Sequence, residues 1–345
     1  MSNTNSRFGS SFMQKLRLNA LDPHVSRLLF TLVGLVIIFL IIRPESAGRM
    51  GTWVSMGVQF PEFGIMALGV MVTMVTGGID LSIVGIANLS GILAALTLRA
   101  LADGGQSPAV TVIAAVLVSL IVGLLAGCFN GLLVAWIRIP AILATLGTLE
   151  LFTGMGIMIT GGKALSGLPP VYGEVFGIRF GGVLPLQLVL FVLVAVAVGL
   201  LMHRNSFGTK LFMMGTNPTA AKFSGLRLAR LLVVTYTISG LCGSIAGLVM
   251  LANYNSAKPD YGLSYTLLTV LIVVLGGVNP NGGKGNIWGV ILAILILQVL
   301  ASGLNTFPSI SNFYRLFIFG AVLLLVIWSG EKSFFKFKKK ETLPK

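Results

Sequence analysis

Ten predominantly apolar stretches of 17 to 23 residues follow one another along the chain, at 25–42, 54–76, 81–100, 109–128, 140–160, 183–202, 231–252, 262–278, 286–305 and 312–329. A helix crosses the ~30 Å hydrocarbon core of a bilayer with about 20 such residues, and only helices or closed barrels satisfy every backbone polar group in lipid. Runs this long and unbroken lack the apolar/polar alternation of a barrel strand. The expected fold class is therefore all-α: a polytopic membrane protein of about ten transmembrane helices. It divides into an N-terminal tail (1–24), a transmembrane domain (25–330) and a basic C-terminal tail (331–345).

Charge supports the same reading. Only 10% of residues are charged, against about 25% in soluble domains, and the mean hydropathy is +0.95. A net charge of +14 would suit a nucleic-acid partner if it formed a face on a soluble surface. Here the lysines and arginines lie between and beyond the apolar runs, which excludes nucleic acid and names the lipid bilayer as the partner. With both termini inside, 17 of the 24 basic residues fall on the cytoplasmic side and seven on the other, the bias that sets orientation. The first apolar run, "RLLFTLVGLVIIFLII", follows a long polar lead with no clear cleavage site, so it reads as an uncleaved first helix. The Gly- and Pro-rich stretch 161–182 is too polar to span and is expected to form a structured outer loop.

Nothing in the sequence has the layout of an enzyme. Cys128 and Cys242 lie in apolar runs with no metal or redox spacing and read as packing residues, while His24 and His203 stand beside Arg27 and Arg204 as solvated side chains. "LGGVNPNGGKGN", 275–286, looks like a phosphate loop but fails its register, with Val278 at the first glycine position and Gly285 at the hydroxyl position. It reads instead as a short cytoplasmic turn between the eighth and ninth helices. A second Gly-Gly, Gly77-Gly78, ends the second run, and interrupted segments of this kind point to a translocation region.

Asp80 follows at once. A carboxylate at membrane depth needs a partner or a cavity, and Ser82 with the amides of the next helix offers a cap. Cap and solute ligand both remain open. Glu62 and Glu150 lie inside spans with no nucleophile or acid/base partner, and Asn88 and Asn130 share the ambiguity of Asp80. The longest cytoplasmic connection, about 203–231, contains "GTNPTAAKFSG". There Asn217 can cap, Pro218 suits the first helical turn, and Gly225 ends a short helix. Such a helix suits docking against another protein or lying on lipid head groups.

The chain resembles the permease subunits of ABC importers for ribose, xylose and related sugars and for autoinducer-2. The likeness runs from about Phe60 to Leu325 and rests on "TGGIDLS", "FNGLLVAWIRIPAILATLGT", "TGGKALSGLP", "GTNPTAAKFSG" and "LGGVNPNGGKGNIWGVILAILILQVLASGLN", in that order. Glu150 stands where the family more often has a neutral residue. The resemblance implies an ABC importer permease fold in the inner (cell) membrane, with a second permease copy, identical or related, completing the channel. It further implies cytoplasmic ATPase subunits docked on a loop carrying Gly215, Asn217, Ala220, Ala221, Ser224 and Gly225, and a periplasmic or lipid-anchored solute-binding protein. Gly77, Gly78, Asp80, Ser82, Asn88, Asn130 and Glu150 become translocation-region candidates. The chain is then a transport subunit and no enzyme, with no cofactor or metal of its own, since ATP is used by the partner. The rival readings are an ion-coupled secondary transporter, a membrane enzyme, and a branched-chain amino acid permease of the same architecture.

Overall fold

The computed structural model describes residues 22–307, with Phe317, Gly320 and Ala321 beyond them. The tenth predicted span, 312–329, and both predicted tails fall almost wholly outside the described residues. Asp22 opens the first helix, α1 (Pro23–Ile42), by accepting the His24 amide at 3.1 Å, and the short α2 (Pro44–Ala47) follows. The chain then runs through α3 (Met50–Met74), α4 (Ile83–Asp103), α5 (Pro108–Leu132), which continues as a π-helical turn to Ile137, and α6 (Ala141–Thr160). After β1 (Leu165–Ser166), α7 (Pro170–Phe176), β2 (Arg179–Phe180) and β3 (Leu184–Pro185) come α8 (Leu186–His203), α9 (Ser206–Thr216) and α10 (Pro218–Phe223). The last described elements are α11 (Leu228–Tyr254), β4 (Ser256–Ala257), α12 (Tyr265–Leu275) and α13 (Ile287–Asn305).

Eight of these helices are long and apolar enough to cross a membrane, so the chain is a multi-pass, almost wholly helical membrane protein. Helix α3 is the axis of the bundle, buried along nearly all its length and packed against α11, α8, α12, α13 and α4. With lipid outside there is no hydrophobic drive between helices, and close backbone approach does that work. Along the α5–α11 seam a Cβ on Gly127 would overlap the Tyr236 carbonyl, and one on Gly240 would overlap the Gly123 carbonyl.

The eighth predicted span is corrected by the structure. Its window, 262–278, holds α12, whose eleven residues rise only about 16 Å, half of what a crossing requires. Most of the chain before α12, 255–264, is irregular, with Lys258 and Asp260 forming an exposed ion pair at 2.8 Å. There Asn88 Nδ2, only six residues into α4, donates to the carbonyls of Pro259 and Tyr261, both at 2.8 Å.

The predicted loop 161–182 is structured. Strand β1 pairs antiparallel with β4, Leu165 opposite Ala257; β2 pairs with β3; the Tyr172 hydroxyl donates to Leu248 O at 2.8 Å, and the Arg99 guanidinium donates to Ser166 O. His24 departs from its reading as a solvated side chain: it is half-buried and its Nε2 lies 2.9 Å from Leu275 O, tying the start of α1 to the end of α12.

Candidate functional site: a docking helix, a glycine junction and a polar cavity

The connection from α8 to α11 folds as two short helices because asparagine starts each one. Asn205 Oδ1 accepts the Phe207 amide at 3.2 Å, and Asn217 Oδ1 accepts the Ala220 amide at 3.0 Å with Pro218 in the first turn. Gly225, at φ +80°, ends α10, and the Leu226 amide closes onto Ala221 O at 3.2 Å. Asn217, Ala220, Ser224 and Gly225 are exposed, as a docking surface needs. Two other residues of the expected surface are not: Ala221 is 2% exposed and packs into the core, and Gly215 faces the rest of the bundle. Phe223, by contrast, is 88% exposed. A shallow groove of Phe212, Met213, Thr216 and Ala220 lies along the same two helices.

Beneath this surface three glycine-bearing segments meet. The Gly283 amide donates to Val75 O at 2.9 Å, directly after α3. A Cβ on Gly215 would overlap both Val75 O and Gly283 N, and one on Gly282 would stand 2.7 Å from Gly77 N. The Gly77-Gly78 turn and the turn of 276–286 thus touch each other, and the end of α9 lies between them. In the turn of 276–286, Asn279 Oδ1 accepts the Asn281 amide at 3.0 Å and the Gly282 amide bonds Asn279 O at 2.9 Å, so these glycines serve packing and turn geometry.

Asp80 is fully buried. Its Oδ1 accepts from the Ser82 amide at 3.0 Å and the Ser82 hydroxyl at 2.6 Å, and its Oδ2 accepts from the Ser239 hydroxyl at 2.7 Å. Asn130 Nδ2 donates to Ser82 Oγ at 2.7 Å. The cap reading is corrected in detail: Ser82 occupies the cap position of α4, so Asp80, two residues earlier, reaches Ser82 rather than the first amides of the helix. The cluster ties the turn after α3 to α5 and α11. Gly78 packs here too, where a Cβ would stand 2.5 Å from the Tyr236 hydroxyl. Asn88 holds the bent-in segment, and Glu150 points outward from α6, exposed at the midpoint of the helix.

The polar cavity lies elsewhere, between α3, α11, α12 and α13. It encloses about 340 Å³ and is lined by Gln59, Glu62, Phe63, Tyr254, Tyr265, Leu268, Leu297, Gln298, Ala301 and Asn305. Glu62, at the middle of α3, is 5% exposed. Its Oε1 accepts from the Tyr265 hydroxyl at 2.5 Å and the Tyr254 hydroxyl at 2.9 Å, and its Oε2 accepts from Asn253 Nδ2 at 3.2 Å. Asn253 Nδ2 also reaches Val58 O at 3.1 Å, beside the break that Pro61 makes in the helix ladder. Across the cavity Gln298 Nε2 donates to Ser302 Oγ at 2.9 Å.

The model of the family described as "Branched-chain amino acid transport system / permease component" matches residues 53–327. The chain belongs to this permease family. The permease is 33% identical over 300 residues to the ribose import permease protein RbsC of Bacillus subtilis, covering 87% of this chain and 90% of that protein. It is 32% identical over 325 residues to the autoinducer 2 import system permease protein LsrD of Klebsiella pneumoniae, covering 92% and 93%. To the LsrD of Photorhabdus luminescens it is 31% identical over 307 residues, covering 86% and 89%. No solved structure matches it.

Sequence reasoning about the permease named Glu62 but weighed Asp80 above it, and it missed Gln59, Tyr254, Tyr265, Gln298 and Phe223. The available signal was the set of amides and hydroxyls in otherwise apolar runs. Gln59 and Gln298 stand out in this way, whereas the tyrosines could equally have been interfacial anchors.

Proposed function

We propose that this permease is the membrane subunit of a binding-protein-dependent ABC importer, passing a monosaccharide-like solute into the cytoplasm by alternating access driven by separate ATPase subunits. The observation that carries the reading is α10: a capped six-residue helix with Phe223 88% exposed at its end, built over the junction of α3, α9 and the turn after α12. An aromatic side chain held out on a well-ordered short helix is the anchor a protein partner's pocket requires. A bound ATPase that pulls or tilts α10 acts on the cytoplasmic ends of the helices beneath it, and ATP binding then biases one access state over the other. Both termini lie in the cytoplasm in this reading, as the distribution of basic residues favours. A solute-binding protein docks on the opposite face, and a second permease copy completes the assembly. The names of the relatives, ribose and autoinducer 2 permeases, favour a sugar-like cargo over an amino acid.

Glu62, an acid at mid-span, favours one alternative, an ion-coupled secondary transporter. Uptake of radiolabelled D-ribose and other monosaccharides into proteoliposomes separates the two. The importer requires the cognate ATPase, ATP and the binding protein, and ignores an imposed proton or sodium gradient. Uptake driven by such a gradient without ATP would replace the importer reading with the alternative.

A further inference from the structure

We infer that the cavity between α3, α11, α12 and α13 is a solute-contact site on the translocation path, shaped for a neutral polyhydroxylated molecule. This rests on the transporter reading above and adds a location and a ligand chemistry to it.

Three independent observations converge there. The first is the broken crossing. Helix α12 has eleven residues, about half of what a crossing requires, and Tyr265, its first residue, points its hydroxyl at Glu62. Short or interrupted segments of this kind point to a transporter's binding site. The second is the volume: about 340 Å³ lies within the range of roughly 300–1,000 Å³ typical of small-molecule pockets. The third is a cluster of polar side chains that line a cavity, with an acid at the midpoint of the central helix.

The chemistry of the lining selects the ligand. Among the described residues no lysine or arginine lines the cavity, and these residues offer no cation to a phosphate or to the carboxylate of a free amino acid. Glu62 already accepts three hydrogen bonds, two of them from tyrosine hydroxyls. Each hydroxyl, having spent its proton on Glu62, keeps lone pairs that accept from a ligand O–H. Gln59 and Gln298 supply amide groups that both donate and accept, and Phe63 with Tyr265, their rings 5.8 Å apart, offers apolar faces to ligand C–H groups. Alternating donors, acceptors and aromatic faces, with the one lining carboxylate, Glu62, already engaged by three donors, suit a neutral sugar.

The test is thiol labelling at the cavity wall, which needs neither ATPase nor binding protein and so fails separately from the importer reading. Ala301→Cys in proteoliposomes is treated with a water-soluble methanethiosulfonate, with the unmutated chain as the control for Cys128 and Cys242. The expected result is labelling at position 301 that slows at least tenfold in high-millimolar D-ribose, D-xylose or D-galactose. Neither choline nor leucine should give that protection. No labelling, protection by none of the sugars, or equal protection by choline or leucine would each overturn the assignment. A second variant guards against a structural artefact. Tyr265→Phe keeps the ring and leaves Glu62 bonded to Tyr254, and it should raise the sugar concentration giving half-protection about tenfold. Unchanged half-protection would remove Tyr265, and with it the proposed hydroxyl recognition.

Discussion

The amide of Gly283 donates to the carbonyl of Val75 at 2.9 Å, and this bond fastens the turn after α12 to the end of α3. Gly215 closes the same junction from α9, leaving no room for a Cβ between Val75 O and Gly283 N. The ends of three helices, two of which line the polar cavity, are thereby one packed unit beneath α10.

The first prediction follows from that packing. Gly215→Ala places a methyl group against two backbone atoms that cannot rotate away, and overpacking of this kind costs about 1–3 kcal/mol. The purified permease should unfold in detergent at a lower temperature than the parent. Gly147→Ala is the matched comparison: no atom lies within 4 Å of a Cβ there, and its unfolding temperature should be unchanged. Equal behaviour of the two variants would mean that the junction is loosely packed.

Asp80 gives the second. Asp80→Asn retains one oxygen for the Ser82 amide and hydroxyl, whereas Asp80→Leu leaves the buried Ser82 and Ser239 hydroxyls without their acceptor. Each buried group left unsatisfied costs about 1–3 kcal/mol. The leucine variant should accumulate poorly in membranes while the asparagine variant accumulates near the parent level. If the asparagine variant assembles normally yet transports nothing, Asp80 has a role in the path beyond holding the turn.

The third concerns the bent-in segment. Asn88→Leu removes the donor to both Pro259 O and Tyr261 O. Segment 255–264 should then exchange its amide hydrogens faster than in the parent, with α4 itself little changed. Unaltered exchange would mean that other contacts hold the segment.

These residues also show what the sequence makes legible. Of the nine apolar windows within the described residues, eight coincide with helices long enough to cross a membrane, and three of these open on a side-chain cap, as where Asn286 accepts the Trp288 amide at 3.0 Å at the head of α13. The break before α12 was not legible. The window "GLSYTLLTVLIVVLGGV" is apolar enough to read as one span, yet Gly262 sits at φ +63° and Asn88, 171 and 173 residues away, holds Pro259 and Tyr261 just before it. Helix α10 was visible through its Asn-Pro start, but a six-residue helix has no periodicity to tell inside from outside. Ala221 was therefore assigned to the surface and Phe223 overlooked. The sequence offered Asp80 a cap partner in Ser82 and Glu62 none, and only the fold shows Asp80 in a closed hydrogen-bond cluster and Glu62 at a cavity.

The most direct test of the central claim, that α10 is where an ATPase engages this permease, is the effect of Phe223→Glu on capture of the cognate ATPase. A lost hot spot is worth about 2 kcal/mol or more, and about 1.4 kcal/mol is a factor of ten in affinity. Phe223 touches little of its own chain, so the variant should insert and unfold like the parent. The predicted result is at least a tenfold weaker co-purification of the ATPase from detergent and loss of binding-protein-stimulated ATP hydrolysis in proteoliposomes. Full retention of both by a normally folded Phe223→Glu permease would contradict the claim.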